Sequence, residues 1–210
     1  DLPCMDDDNI RRGKPSTHIK YGESTAVLAG NSLLTLAFEI LSDPSFKINK
    51  KTKVKLIEKL SKFAGHEGIA GGQFLDLSFE KRKISKKKIE EMQIKKTGKL
   101  FSFCTMVPSI IKNKNTKTIN KFEKIGSDIG LLFQIKDDLI DYSGSAKKVG
   151  KKTKKDLKKG KATLISLLGY KNTIKYASKL KLNIFKKLNN FGKETKELQK
   201  TINYILERNK

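Results

Sequence analysis

The sequence predicts an all-α fold, and three observations carry that prediction. Polar and apolar residues recur at helical spacings over long stretches. The clearest case is Phe133-Gln134-Ile135-Lys136-Asp137-Asp138-Leu139-Ile140-Asp141, where Asp137 and Asp141 share a helix face amid Phe133, Ile135, Leu139 and Ile140. No strand signal of any length interrupts these stretches. Neither an internal repeat nor a Ser/Pro-rich linker divides the 210 residues, so one domain over residues 1–210 with one core is expected.

Tyr21 to Ser42 is apolar on most sides (Val27, Leu28, Leu33, Leu34, Leu36, Phe38, Ile40, Leu41), which predicts a central helix; Asp43-Pro44 ends it, because the residue before proline is pushed out of the helical region. Asn49 to Glu80 begins as a Lys-rich amphipathic helix with Val54, Leu56, Ile57, Leu60 and Phe63 inward, then enters Gly68-Ile69-Ala70-Gly71-Gly72-Gln73-Phe74-Leu75-Asp76-Leu77. Each glycine inside a helix costs about 1 kcal/mol relative to alanine. Three so close together indicate either the close approach of a neighbouring backbone or ligand, or a plain loop between helices. Ser85 is the expected cap of a helix that runs through Lys95-Lys96-Thr97-Gly98 toward Pro108. Asn115 to Asp141 follows, with Phe122, Ile125, Ile129, Leu132 and Phe133 as core positions. A basic loop spans Ser143 to Lys161, and the chain closes with helices over Leu164 to Leu168, Asn172 to Leu188 and Lys193 to Leu206.

Composition excludes several function classes. The 46 Lys and Arg against 22 Asp and Glu give a net charge of +24. Arginine occurs only at positions 11, 12, 82 and 208, however, and the lysines are spread along the chain with Asn and Ile, as codon drift in an AT-rich genome would leave them. A nucleic-acid protein would focus its charge in a stripe, so no specific nucleic-acid function is expected. Two cysteines make neither a disulfide framework nor a metal knuckle, which points to a reducing compartment. No uninterrupted apolar run approaches the roughly 20 residues of a transmembrane helix, and no transmembrane segment is expected.

The chemistry gathers at Asp1-Leu2-Pro3-Cys4-Met5-Asp6-Asp7-Asp8-Asn9-Ile10-Arg11-Arg12-Gly13-Lys14-Pro15-Ser16-Thr17-His18. Four carboxylates lie in its first eight positions and two arginines follow. Crowded carboxylates repel one another unless a hard cation holds them, and Mg²⁺ is usually bound by one or two carboxylates together with phosphate oxygens. Paired arginines supply planar forks suited to phosphate. Both features point to a magnesium-diphosphate complex, and the acids of Phe133 to Asp141 extend the reading to a second site.

These residues carry a specific resemblance. Asp1 to His18 resembles the first aspartate-rich motif of the trans-prenyltransferases (isoprenyl diphosphate synthases), DDLPxMDDDxxRRGxPTxH, and Phe133 to Asp141 resembles their second, FQxxDDxxD. Their order, their separation and the intervening GGQxxDL and Lys96-Thr97 fit as well, so the likeness covers essentially the whole chain and is closest to bacterial short-chain farnesyl diphosphate synthases. It implies the isoprenoid synthase fold, a bundle of long helices around a central cavity. Because the family's first motif begins one Asp earlier, it also implies an N-terminally truncated domain, with this chain as roughly its C-terminal two-thirds. The family's GKRxRP segment, which grips isopentenyl diphosphate, has no counterpart here, so these 210 residues alone are expected to be inactive.

The resemblance further implies a homodimeric, cytoplasmic enzyme using three Mg²⁺ ions per active site. Asp6, supported by Asp1, would be a first-motif metal ligand; Asp137 would lead the second, with Asp138 and Asp141 acting directly or through water. Arg11 would hold the allylic diphosphate and Arg12 isopentenyl diphosphate. Lys96, Thr97, Lys151 and Lys161 would complete the allylic diphosphate cage, and Gln134 would line it. Lys99 and Lys154 depart from the family's usual residues. Four residues, Leu2 to Met5, separate the first-motif aspartates, as in bacterial farnesyl and in bacterial or plant geranylgeranyl diphosphate synthases. Farnesyl diphosphate is therefore the expected product, with geranylgeranyl diphosphate the alternative. A noncatalytic subunit of a heteromeric synthase would typically have lost the aspartate motifs, and a terpene cyclase would carry an NSE-type second metal motif.

Overall fold

The computed structural model describes residues 1–143 and 161–208. Helices dominate it. The departure from the all-α expectation is a minimal hairpin, β1 (Ile10–Arg11) antiparallel to β2 (Lys14–Pro15), with Arg11 opposite Lys14. Its two-residue turn sets Arg12 and Gly13 at φ 52° and 75°, the positive values whose twist matches a tight hairpin. Two residues per strand are too few for any periodic signal.

The helices are α1 (Thr17–Tyr21), α2 (Glu23–Ser42), α3 (Lys50–Ala64), α4 (Ile69–Ser78) and α5 (Lys86–Gln93). A π-helical turn, Ile94–Gly98, joins α5 to α6 (Lys99–Ile111). Then come α7 (Thr116–Ser143), α8 (Leu164–Leu168), α9 (Tyr170–Asn189), a 3₁₀ turn at Lys193–Thr195 and α10 (Lys196–Glu207). Local chemistry places several of these starts. Asn49 Oδ1 accepts from the Thr52 amide at 2.8 Å and Asn115 Oδ1 from the Thr118 amide at 2.9 Å. Thr163 and Ser166 form a reciprocal capping box. Ser85 occupies the N-cap position of α5, but its side chain makes no capping bond there, contrary to expectation.

The central helix is α7, not α2. Ile125, Ile129, Leu131, Leu132, Ile135, Leu139 and Ile140 of α7 are all buried, and each such side chain contributes about 1.5–3 kcal/mol on full burial. Helices α5, α8, α9 and α10 pack on it through Ile89, Leu164, Ile184, Leu188, Ile202 and Ile205. On the other side, Leu56 and Phe63 of α3 and Met106 and Ile110 of α6 form a second cluster with Ile119. Helices α6 and α7 cross closely: a Cβ on Gly126 would lie 2.5 Å from the Phe101 carbonyl oxygen.

Helix α2 has no buried residue; Leu28 is 64% and Leu33 67% exposed. Its all-round apolarity reported what it could bury, while among the described residues it packs mainly on α1 and α3. Its 20 residues, with a mean hydropathy of 1.4, are by length and composition enough to cross a membrane, although no single run in it is uninterrupted. Val54 of α3, expected inward, is likewise 67% exposed.

Candidate active site

The first motif is a turn rather than a helix. The Met5 and Asp7 amides bond the Leu2 carbonyl at 2.9 and 3.0 Å, and the Asp8 amide bonds that of Asp1 at 3.1 Å. This turn aims Asp6 at Lys161, whose Nζ donates to Asp6 Oδ1 at 2.6 Å across 155 positions. Burial pushes the Asp6 carboxyl up, but the Lys161 hydrogen bond and the charges of Lys96 and Lys161 outweigh it and hold the group down at about 2.

Lys161 also reaches Asp76 Oδ2 at 3.4 Å, and Lys96 donates to that same oxygen at 2.6 Å. Asp76, 6% exposed on α4, thus joins the two lysines. Gly72 makes the junction possible, because its bare Cα lies against the π turn; a Cβ there would be 2.1 Å from the Lys96 nitrogen. The glycines of α4 are a close backbone approach within a helix, the reading that the likeness of GGQxxDL to the family's cavity-facing helix favours over a plain loop. π-Helical turns recur at functional sites, and this one carries Lys96 and Thr97.

From Thr97 the network enters the second motif. Thr97 Oγ1 bonds Gln134 Oε1 at 3.1 Å, and Gln134 Nε2 donates to Asp138 Oδ1 at 3.1 Å. Gln93 Nε2 donates to Asp138 Oδ2 at 2.9 Å, so amides hold both oxygens of this buried carboxylate. Asp138 and Asp141 are both 5% exposed. The Asp137 side chain is 40% exposed and pairs with Arg208 at 2.6 Å. Burial thus divides the motif differently from the face that Asp137 and Asp141 were expected to share.

Asp6, Lys161, Asp76, Lys96, Thr97, Gln134 and Asp138 therefore lie in one continuous set of contacts and chain neighbours. Asp1 and Arg11 pair with each other at 3.4 Å on the exposed hairpin side, and Arg12 sits exposed at the hairpin tip. Among the described residues, neither arginine is drawn into the network. Lys151 lies outside the described residues. Sequence reasoning gave no site role to Asp76, Gln93 or Arg208; the signal available for Asp76 was its place in GGQxxDL, the segment similar to the family's cavity-facing helix.

The donor set suits magnesium. The motifs offer carboxylate oxygens, the hard ligands that this ion takes singly or in pairs with phosphate oxygens completing its shell. Among the described residues no three His, Cys, Asp or Glu side chains converge as an all-protein metal cage. A separate cavity of about 770 Å³ lies between α6, α7 and the α9–α10 turn, lined by Phe101, Phe122, Ile129, Phe191 and Leu198 among others; no residue of either aspartate motif lines it.

Fold and motif geometry together place the molecule in the class of all-α isoprenoid synthases. The geranyltransferase of Helicobacter pylori, solved with magnesium and isoprenyl diphosphate, superimposes with a TM-score of 0.85 at 33% identity, over 98% of this chain and 67% of that one. The chain belongs to the polyprenyl synthetase family, whose sequence profile matches residues 1–205. It is 37% identical to the farnesyl diphosphate synthase of Micrococcus luteus over 100% of this chain and 72% of that protein. It is 36% identical to geranylgeranyl pyrophosphate synthase 4 of Arabidopsis thaliana over 100% of this chain and 57% of that protein. The chain thus spans between 57% and 72% of the lengths of these two relatives.

Proposed function

We propose that the protein condenses isopentenyl diphosphate with an allylic diphosphate, dimethylallyl or geranyl, to give farnesyl diphosphate. The observation that supports this most is the path from Asp6 through Lys161, Asp76, Lys96, Thr97 and Gln134 to Asp138, which draws two acid motifs and two ammonium groups into one network. Asp6 and Asp137, with Asp1, Asp138 and Asp141 assisting, would hold Mg²⁺, three ions per site in our reading. When bound, Mg²⁺ supplies Lewis-acid neutralisation of the diphosphate.

Lys96 and Lys161, with Lys151 by resemblance, act as donors aimed where negative charge develops when the allylic carbon–oxygen bond breaks and its electron pair leaves with diphosphate. Thr97 and Gln134 orient that group. Arg11 grips the allylic diphosphate and Arg12 the isopentenyl diphosphate. The isopentenyl double bond then attacks the allylic cation, and a proton passes to the departing diphosphate, so no protein nucleophile is needed. The four-residue spacer Leu2 to Met5 supports a short product. Geranylgeranyl diphosphate is the second reading, favoured by the near-equal identity to a synthase of that product.

A second copy of this chain is the partner we propose for the exposed apolar face of α2. A reducing, cytoplasmic setting suits Cys4 and Cys104, both free and exposed. The complete gene product, given Mg²⁺, isopentenyl diphosphate and geranyl diphosphate, should yield farnesol after phosphatase treatment. Geranylgeraniol as the main product would move the cavity floor and keep the chemistry. Absence of any prenyl alcohol would overturn the reading.

A further inference from the structure

We propose that Arg208 is a positioning residue for the second aspartate motif, holding Asp137 by one oxygen so that its other oxygen is directed for cation binding. The proposal rests on the reading of Asp137 as a metal-holding carboxylate. Arg208 Nη2 donates to Asp137 Oδ1 at 2.6 Å and to the Phe133 carbonyl at 3.3 Å. Its guanidinium carbon sits 4.0 Å from the Phe133 ring centroid. A planar guanidinium can stack and donate in its plane at once, whereas a lysine ammonium cannot.

The guanidinium is placed by the core as well as by its ion pair. Ile202 and Ile205 of α10 are buried against α7, and the Arg208 amide closes the helix on the Tyr204 carbonyl at 2.9 Å. Arg208 is 14% exposed in its side chain, while Asp137 remains 40% exposed. A carboxylate that open to water needs no counter-ion to be tolerated, and pairs of open groups contribute little stability. What the contact supplies is orientation: an aspartate held through one oxygen loses rotamer freedom before a cation arrives. Partners that orient a metal ligand from behind typically account for 10–100-fold in metal affinity.

The test uses the complete gene product with Mn²⁺ as the probe, the free ion being counted by electron paramagnetic resonance, beside a thermal melt of each variant. Arg208→Gln should raise the Kd for Mn²⁺ by about 10–100-fold with a melt like that of the wild type. Arg208→Lys, which keeps the charge but not the planar fork, should raise it by about tenfold. In an Asp137→Asn background, Arg208→Gln should produce no further loss, because the arginine acts through that carboxylate. Wild-type or tighter Mn²⁺ binding by Arg208→Gln overturns the proposal, as does an equal loss in the Asp137→Asn background. Should Arg208→Gln lose its cooperative melt, Arg208→Lys decides by the same criterion. Unchanged Mn²⁺ binding by Asp137→Asn alone would sink the metal reading of Asp137, a different failure from that of Arg208.

Discussion

Replacing Gly72 with alanine sets two effects of known size against each other. Gly72 lies inside α4, where alanine is favoured over glycine by about 1 kcal/mol. Its new Cβ, however, would lie 2.1 Å from the Lys96 nitrogen, 2.5 Å from the Lys96 Cα and 2.6 Å from the Lys95 carbonyl carbon. These are backbone atoms and cannot rotate aside, so α4 and the π turn must part by roughly 1 Å, and overpacking of this kind costs about 1–3 kcal/mol, here at the upper end. The clash wins by about 2 kcal/mol, which for a chain of this size lowers Tm by about 4–8 °C. The displaced turn carries Lys96 and Thr97, and a misplacement of about 1 Å can cost about 10²-fold in rate. Thermal unfolding and steady-state kinetics with geranyl and isopentenyl diphosphates measure both. A Gly72→Ala protein with unchanged Tm and unchanged kcat/KM would refute the close-approach argument, because relief without displacement would mean the backbones do not meet there.

Asp76→Asn should destabilise the protein by about 3 kcal/mol, because the neutral amide leaves two ammonium groups facing each other with their shared carboxylate gone; an unfolding free energy from denaturant titration within about 0.5 kcal/mol of wild type would contradict this. Tyr176 donates to Glu90 Oε1 at 2.7 Å, and burial first, then that acceptor, push its phenol pKa up. Its contribution to stability is therefore fully present below the ordinary tyrosine pKa of about 10 and is lost only as pH rises further. Ultraviolet difference titration of Tyr176→Phe against wild type should remove the last phenol to ionise, and loss of an early-titrating phenol instead would show the hydroxyl to be free. Leu33→Lys, placing a charge on the exposed face of α2, should halve the mass of the complete gene product in sedimentation; an unchanged mass would mean that α2 does not join two copies.

Much of the molecule could be read from local chemistry. Asn49, Asn115 and Thr163 cap helices through bonds to their own neighbours, and helical spacing located α7 within two residues of its ends. The hairpin at Ile10 to Pro15 escaped because two residues carry no period. Helix α2 was read as central because apolarity shows what a surface would gain from cover, and says nothing of whether cover is there.

The sequence by itself determined the helices, the two aspartate motifs, the Lys96-Thr97 pair and, through them, the family. Only the tertiary structure decided that Asp76 ties Lys96 to Lys161, that Gln93 secures Asp138 and that Arg208 seats Asp137, because those partners lie 20, 85, 45 and 71 positions apart. Spacing along a chain reports faces of one element. A contact between elements depends on how their packed surfaces bring distant side chains together, as when Gly72 lets one backbone settle against another.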